Sequence, residues 1–222
     1  MKYLLVLSLL FVGSTFAQTA KVTSANTASQ VWQIPFASTG NTISLSIQNN
    51  SSLQAKGITV TFNKLPTWLS FKSNAITIKS IAADSAGDAE FSFSVDKKAP
   101  IGKDTTLTAT ISTADGQSWT KDIKISVTAP KDYKLCDNFP NPFNPSTKIA
   151  FELPKASHVR LMIYDIVGRE VAQVADADYP AGYTELTWNG INKNGNLVSS
   201  GVYFYRISAD KWSKAKKMMM VK

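Results

Sequence analysis

The chain has 222 residues, a formal net charge of +8, 44% hydrophobic residues and 10% aromatic residues. This length accommodates a processed leader and two domains of about 100 residues each, and the composition excludes a largely disordered chain. The basic residues are spread over polar positions and do not cluster with aromatic residues, so the charge does not indicate nucleic-acid binding.

Residues 1–17 have the features of a secretory signal peptide. Lys2 gives the positive start, a short apolar run occupies residues 4–12, and Thr15, Phe16 and Ala17 form a cleavage site with small residues. The run is much shorter than the roughly 20 residues that cross a bilayer. We therefore expect cleavage after Ala17 and no transmembrane segment in the mature protein.

Residues 18–129 show apolar and polar residues in alternation, which is typical of half-buried antiparallel strands. Turn-forming residues separate the segments, and Asp115-Gly116 between the last two predicts a hairpin. The pattern predicts an Ig-like β-sandwich. The apolar positions are Ile43, Leu45 and Ile47; Ile58, Val60 and Phe62; Ile76 and Ile78; Phe91, Phe93 and Val95; Leu107, Ala109 and Ile111; and Ile123, Ile125 and Val127.

Two proline segments of this first domain, Leu65-Pro66-Thr67-Trp68 and Ala99-Pro100-Ile101-Gly102, resemble those of bacterial Ig-like modules in secreted hydrolases and surface proteins. The resemblance implies a spacer or adhesion module without catalytic residues. Trp32, Trp68 and Trp119 leave an alternative open, because exposed indoles could stack on sugar rings of a carbohydrate. A tryptophan beside a proline turn more often covers a sandwich core.

A proline-rich motif opens the second domain, residues 138–222. Its prolines fix φ and move the preceding residues out of the helical region, while its asparagines tolerate turn geometry. We expect a rigid lid in which Phe139 and Phe143 anchor the segment across the end of a second sandwich. The motif comprises Phe139, Pro140, Asn141, Pro142, Phe143, Asn144 and Pro145.

Strand-like alternation follows the motif, starting at Ile149, Phe151 and Leu153. Tyr164-Asp165 leads into Gly168-Arg169-Glu170-Val171, where Gly168 is expected to supply the positive φ of a hairpin. The chain ends with lysines that bracket Met218, Met219, Met220 and Val221. Lysine on an edge strand discourages association between sheets, and an accessible edge can also be captured by strand addition.

These motifs, in this order, resemble the C-terminal sorting domain (type A) of the type IX secretion system, an Ig-like family related to the immunoglobulin-like domain of the flagellar hook-capping protein. The resemblance implies export through the periplasm and outer membrane of a Gram-negative bacterium, to the cell surface or the medium. It implies two partners, the type IX secretion machinery and its surface sortase-like protease. The residues expected to be recognised are Gly201, Tyr203, Lys217, Met218, Met219, Met220, Val221 and Lys222.

The junction between the domains, residues 130–137, mixes charges with one proline and is expected to be a linker. Members of the sorting family are processed near such a junction, so a cut is expected between Pro130 and Asn138. Family members often carry aspartate at the positions of Asn189 and Asn192, and this departure weakens a calcium-loop interpretation.

Three functions are therefore compared. The first is a non-enzymatic secreted or surface protein, in which an Ig-like spacer or adhesion module is delivered by the sorting domain. The second is a carbohydrate-binding module, and the third is a small hydrolase that uses the single cysteine, Cys136, and the single histidine, His158. No nucleophile elbow or metal-binding motif supports an enzyme, so we predict no catalysis, no cofactor and no metal. Weak attraction of the basic chain to lipopolysaccharide or polysaccharide is also expected.

Overall fold

The computed structural model describes the backbone of residues 4–11 and all of residues 31–222. The chain divides into two compact units, Met1–Thr128 and Ala129–Lys222. The secondary structure of the described residues consists of strands, in mostly antiparallel sheets. This confirms the prediction of an all-β fold with Ig-like sandwiches. No helix in the described part of the chain is long and apolar enough to cross a membrane.

The first unit consists of two sheets with the orders β1-β3-β7-β5 and β2-β9-β8-β4-β6. Asp115-Gly116 lies between β8 and β9, where Gly116 has a φ of 88°, as the hairpin prediction required. The strands are β1 (Leu4–Phe11), β2 (Trp32–Ile34), β3 (Asn41–Asn49), β4 (Ala55–Phe62), β5 (Leu69–Phe71), β6 (Ala75–Ile81), β7 (Ser85–Val95), β8 (Asp104–Ser112) and β9 (Ser118–Val127).

The core of this unit is built from the predicted alternating positions. Ile43, Leu45 and Ile47 on β3 are buried, and the same holds for the predicted residues on β4, β7, β8 and β9. Phe62 and Phe91 meet edge to face with ring centroids 4.9 Å apart. Ile76 and Ile78 are only half-buried because β6 is the last strand of its sheet, where one side lacks a neighbour.

Leu4–Phe11, from the apolar run of the predicted signal peptide, forms strand β1 in parallel with β3. The predicted cleavage site at Thr15, Phe16 and Ala17 lies outside the described residues. The signal peptide and its removal therefore stay predictions.

The second unit has sheets with the orders β10-β11-β14 and β13-β12-β15-β16. Their inner faces share a core around Phe151, Leu161 and Tyr205, all 0% exposed. The strands are β10 (Lys134–Leu135), β11 (Thr147–Leu153), β12 (Ser157–Tyr164), β13 (Glu170–Tyr179), β14 (Gly182–Trp188), β15 (Gly201–Ala209) and β16 (Trp212–Met220).

Several residues that the sequence assigns to a linker pack into this second unit. Lys134 and Leu135 pair with β11, and Leu135 is buried in the core. The Tyr133 ring stacks on Trp212 with centroids 5.3 Å apart. Of the predicted linker, Lys131, Asp132 and Asp137 are exposed and outside any strand.

Candidate functional site

The proline motif and the terminal strand β16 contact each other. The backbone N–H of Met219 donates to Asn141 Oδ1 over 3.0 Å. The Phe143 N–H donates to the Met219 carbonyl, and the Val221 N–H donates to the Phe143 carbonyl, each over 3.0 Å. Phe143 thereby forms a parallel bridge with Met220. Two sequence features that lie about 75 residues apart thus form a single site, which we call the motif–strand site.

Phe143 anchors the motif in the core, as predicted. Its side chain is 1% exposed, and its ring centroid lies 5.6 Å from that of Trp188. Trp188 is fixed in turn, because its indole N–H donates to the Ile191 carbonyl over 2.9 Å. Met218 and Met220 of β16 are also buried in this core.

The prediction that Phe139 is a second anchor is wrong. Phe139 pairs with Lys148 of β11, and residues directly opposite in an antiparallel pair point to the same face of a sheet. Because Lys148 points to solvent, Phe139 does as well, and its side chain is 77% exposed.

Tyr205 holds the start of the motif in place. Its hydroxyl donates to the Cys136 carbonyl over 2.9 Å and accepts the Asn138 N–H over 3.1 Å. Asn138 Nδ2 donates to the Pro140 carbonyl and to Thr147 Oγ1. Burial raises the pKa of Tyr205 to about 12, so its hydroxyl keeps its proton near neutral pH. No local sequence pattern indicates this network, because its members are up to 69 residues apart.

Some of the predicted recognition residues are buried in the core and the others are exposed. Tyr203, Met218 and Met220 point into the core, and the Tyr203 hydroxyl donates to the Ser199 carbonyl over 2.8 Å. The others are exposed and open to a partner: Gly201, Lys217, Met219, Val221 and Lys222.

Another strand cannot pair with the very end of β16, because the motif already forms hydrogen bonds with the backbone of Met219 and Val221 on that edge. By alternation along the strand, Ser213, Ala215 and Lys217 direct their backbone groups to the same edge. These three have no backbone partner on that edge within residues 31–222. An incoming strand is thus limited to the segment before Met219.

The three tryptophans of the first unit do not form one shared platform. Each is half-buried and packs against the core. Trp32 lies opposite Ile125 on β9, while Trp119 lies six residues earlier on the same strand, about 20 Å away. A single sugar ring therefore cannot contact both the Trp32 and the Trp119 indole, and carbohydrate binding at Trp32, Trp68 and Trp119 stays a prediction.

His158 lies on strand β12, whereas Cys136 directly follows β10 in the other sheet. The His158 Nε2 is 2.8 Å from Asp176 and its Nδ1 is 2.9 Å from Asp178, so carboxylates engage both ring nitrogens. Within residues 4–11 and 31–222, no cluster of three or more His, Cys, Asp or Glu residues could hold a metal ion.

The hydrogen bonds that His158 donates to Asp176, and then to Asp178, raise the pKa of His158 above its ordinary value of 6.5. A neutral imidazole donates from one nitrogen only, whereas the protonated ring donates to both carboxylates. We call this arrangement, in which two aspartates accept hydrogen bonds from the protonated His158 ring, the clamp. It stabilises the second unit fully below pH 6.5, and the stabilisation is lost as the pH rises through the raised pKa of His158.

We expect His158→Gln to destabilise the second unit more below pH 6.5 than at alkaline pH. Urea unfolding at a series of pH values measures the difference from the unsubstituted protein. Arg160→Gln on the same strand is the control, because Arg160 also lies beside Asp176, at 3.9 Å, but carries no imidazole. A His158→Gln effect that is the same at every pH would contradict the clamp.

In a comparison with protein families, the FlgD Ig-like domain matches residues 138–213. The match covers 76 of 222 residues and identifies an Ig-like domain in the second unit. It includes the proline motif, Gly201 and Tyr203, and it ends before Lys217. No curated protein matches the chain.

Among solved structures, the chain is similar to latent dimeric PorU from Porphyromonas gingivalis, with 22% identity and a TM-score of 0.36 over 74% of this chain and 16% of that one. PorZ, a surface component of the type IX secretion system of the same bacterium, shows 22% identity and a TM-score of 0.31, over 52% of this chain and 15% of that one. The Pseudomonas aeruginosa chaperone CupB2 shows 12% identity and a TM-score of 0.29, over 86% and 97%. The chain thus spans about one sixth of the length of PorU and PorZ.

Proposed function

We propose that the second unit is a type IX export signal and that the first unit is its non-enzymatic cargo, a spacer or adhesion module. The protein would cross the periplasm and outer membrane of a Gram-negative bacterium and act in the medium or on the cell surface. Its partners would be the secretion machinery and a sortase-like protease on the surface. Lipopolysaccharide or polysaccharide is a further candidate partner for the basic chain.

The observation that carries this proposal is the motif–strand site. The sorting resemblance rests on a proline motif and a terminal lysine–methionine strand, and nothing local requires two such distant segments to meet. In the structure, Asn141 and Phe143 bind the backbone of Met219 and Val221. A signal read at the end of the chain would thus be held in one shape by the motif that opens the domain.

The proposal includes no catalytic step. Cys136 lies beside β10, where its N–H donates to Ala150 and its carbonyl accepts the Tyr205 hydroxyl. His158 is engaged by two aspartates. A non-enzymatic role needs neither residue as a nucleophile or a base.

Removal of residues 138–222 is expected to abolish export. The truncated protein would accumulate in the periplasm, whereas the full chain would be recovered outside the cells. Quantitative mass spectrometry of the medium, surface and periplasmic fractions of the native host measures the distribution. Fusion of residues 129–222 to a periplasmic reporter is the reciprocal test. Export of the truncated protein at the level of the full chain would refute the proposed function.

The intact mass of the exported product tests processing. We expect it to start at Gln18. An end between Pro130 and Asn138, where Lys131 and Asp132 are exposed and outside any strand, would show that the second unit is removed by the protease. An end at Lys222 would show that the second unit remains attached, and would place a retained Ig-like domain on the final product.

A further inference from the structure

One end of the second unit gathers segments from both of its sheets. Gly201 at the start of β15 pairs with Met220 at the end of β16, and Tyr164 at the end of β12 pairs with Glu170 at the start of β13. In the other sheet, Thr147 at the start of β11 pairs with Trp188 at the end of β14. The bridge between Phe143 and Met220 joins the two sheets here. The motif, the tip of the β12–β13 hairpin and the last residues of the chain therefore share this end.

Apart from Phe139, the large hydrophobic side chains that are exposed among the described residues of this unit lie at this end or on the adjoining outer face of β15 and β16. We call them the apolar end. Phe139 is not a member, because it points with Lys148 to the outer face of the other sheet. Ile166 and Val167 are the most exposed members, at 71% and 68%. The full set is Ile166, Val167, Ile191, Leu197, Phe204, Met219 and Val221. Exposed apolar residues gathered in this way mark interaction surfaces, whereas scattered ones need no explanation.

Two of these side chains are held out by a rigid turn. Asp165 Oδ1 accepts the N–H groups of Val167 and Arg169, each over 3.0 Å. Asp165 Oδ2 accepts Arg169 Nε over 2.7 Å, and Gly168 has a φ of 81°. Ile166 and Val167 are thus displayed on a pre-organised hairpin tip, which lowers the entropy cost of binding.

The remaining members form neighbouring pairs on the surface. Met219 lies opposite Val202, and Phe204 lies two residues further along β15, between Tyr164 and Lys217. Leu197 bridges to Ile191, and a Cβ at Gly190 would lie 3.3 Å from both Leu197 and Met220. Phenylalanine, tyrosine and methionine are the residues enriched in protein interfaces.

Four basic residues, Lys193, Lys217, Lys222 and Arg169, lie beside the apolar end, against the two acids Asp165 and Glu170. Lys193, Lys217 and Lys222 make no ion pair with any residue that the structure describes, while Arg169 is paired with Asp165. Lys193 is placed beside the hairpin because its N–H donates to the Val171 carbonyl. A partner that matches this rim would carry acidic residues, because opposite charges around an apolar centre favour specific association.

We infer that the apolar end docks in an apolar cleft with an acidic rim on a protein of the export machinery. The hairpin tip inserts into the cleft, and the three lysines face its acidic rim. This inference rests on the proposed function and extends it, because it moves recognition beyond the terminal strand to a composite surface. Ile166 and Val167, which sequence analysis left out of the recognition set, become its principal anchors.

The test is the full chain with Ile166→Ser and Val167→Ser, expressed in the native host. Loss of two buried anchors in an interface is expected to reduce the exported fraction about tenfold or more. Leu53→Ser is the matched control, since Leu53 is 62% exposed but lies in the first unit. Both variants should keep the thermal unfolding midpoints of the unsubstituted protein, because all three side chains are exposed.

A photo-reactive amino acid placed at position 166 of the full chain identifies the occupant. The expected adduct is one protein of the outer membrane, formed at position 166 and not at position 53. Adducts at both positions, or at neither, would overturn the inference. Binding of the full chain to phosphatidylglycerol vesicles tests whether the occupant is instead a lipid surface. Binding to them that is lost in the Ile166→Ser, Val167→Ser variant would replace the protein partner with a membrane surface.

Two outcomes separate this inference from the function on which it rests. If removal of residues 138–222 blocks export while the doubly substituted chain is exported normally, the docking surface is wrong and the sorting function stands. If the truncated chain is itself exported, the sorting function fails, and the docking inference fails with it.

Discussion

Replacement of Phe143 with alanine is expected to destabilise the second unit by about 3–5 kcal/mol, the usual cost of deleting a fully buried phenylalanine. Phe143 is 1% exposed and packs beside Trp188. Its backbone also carries the hydrogen bonds to Met219 and Val221. The cavity would therefore form where the motif holds the terminal strand, so both segments should open together.

Native-state hydrogen exchange measures this effect in each unit separately, because peptides from β11 to β16 report on the second unit and peptides from β3 to β9 report on the first. Phe139→Ala is the matched control in the same motif. Its side chain is 77% exposed, so we expect a change within about 0.5 kcal/mol. Equal destabilisation by the two substitutions would show that the motif is not anchored through Phe143.

The core strands could be predicted from sequence because their signal is local. A strand with one buried face places every second side chain in the core, and β3 shows this as Ile43, Leu45 and Ile47 between polar neighbours. Gly116 and Gly168 could be predicted for a similar reason, since each sits in a turn that requires a positive φ. The resemblance of the second domain rests on the same kind of short ordered motif.

The motif–strand site could not be predicted from a local sequence pattern, because it depends on pairing between segments that are distant along the chain. Phe139 and Phe143 have similar sequence surroundings, yet one is exposed and the other buried, because Lys148 pairs with the first and Met220 with the second. Which edge a segment joins is decided by partners far along the chain. Tyr133 and Leu135 were assigned to a linker for the same reason, since their contacts are with β11 and β16.

Replacement of Gly190 with alanine is expected to cost about 2–5 kcal/mol, because two penalties act at one position. Gly190 has a φ of 69°, a left-handed conformation that costs an L-residue about 1–2 kcal/mol. A Cβ there would also lie 2.7 Å from the Pro145 carbonyl oxygen. That oxygen belongs to the backbone of the proline motif, so relief requires the motif itself to move, with a packing penalty of about 1–3 kcal/mol.

Gly195→Ala separates the two penalties. Gly195 lies in the same loop with a φ of 80°, and a Cβ there would meet nothing within 4 Å. This control should lose only the conformational part, about 1–2 kcal/mol. Hydrogen exchange of the Met219 and Val221 amides should rise in the Gly190 variant and much less in the Gly195 variant. If both variants behave alike, the motif can shift away from Gly190 at no cost, and it does not fix the terminal strand. The Pro145 carbonyl oxygen is the closest atom to the added Cβ and belongs to the backbone, whereas Met220 meets it at 3.3 Å only with the flexible end of its side chain, so the larger effect is expected through the motif.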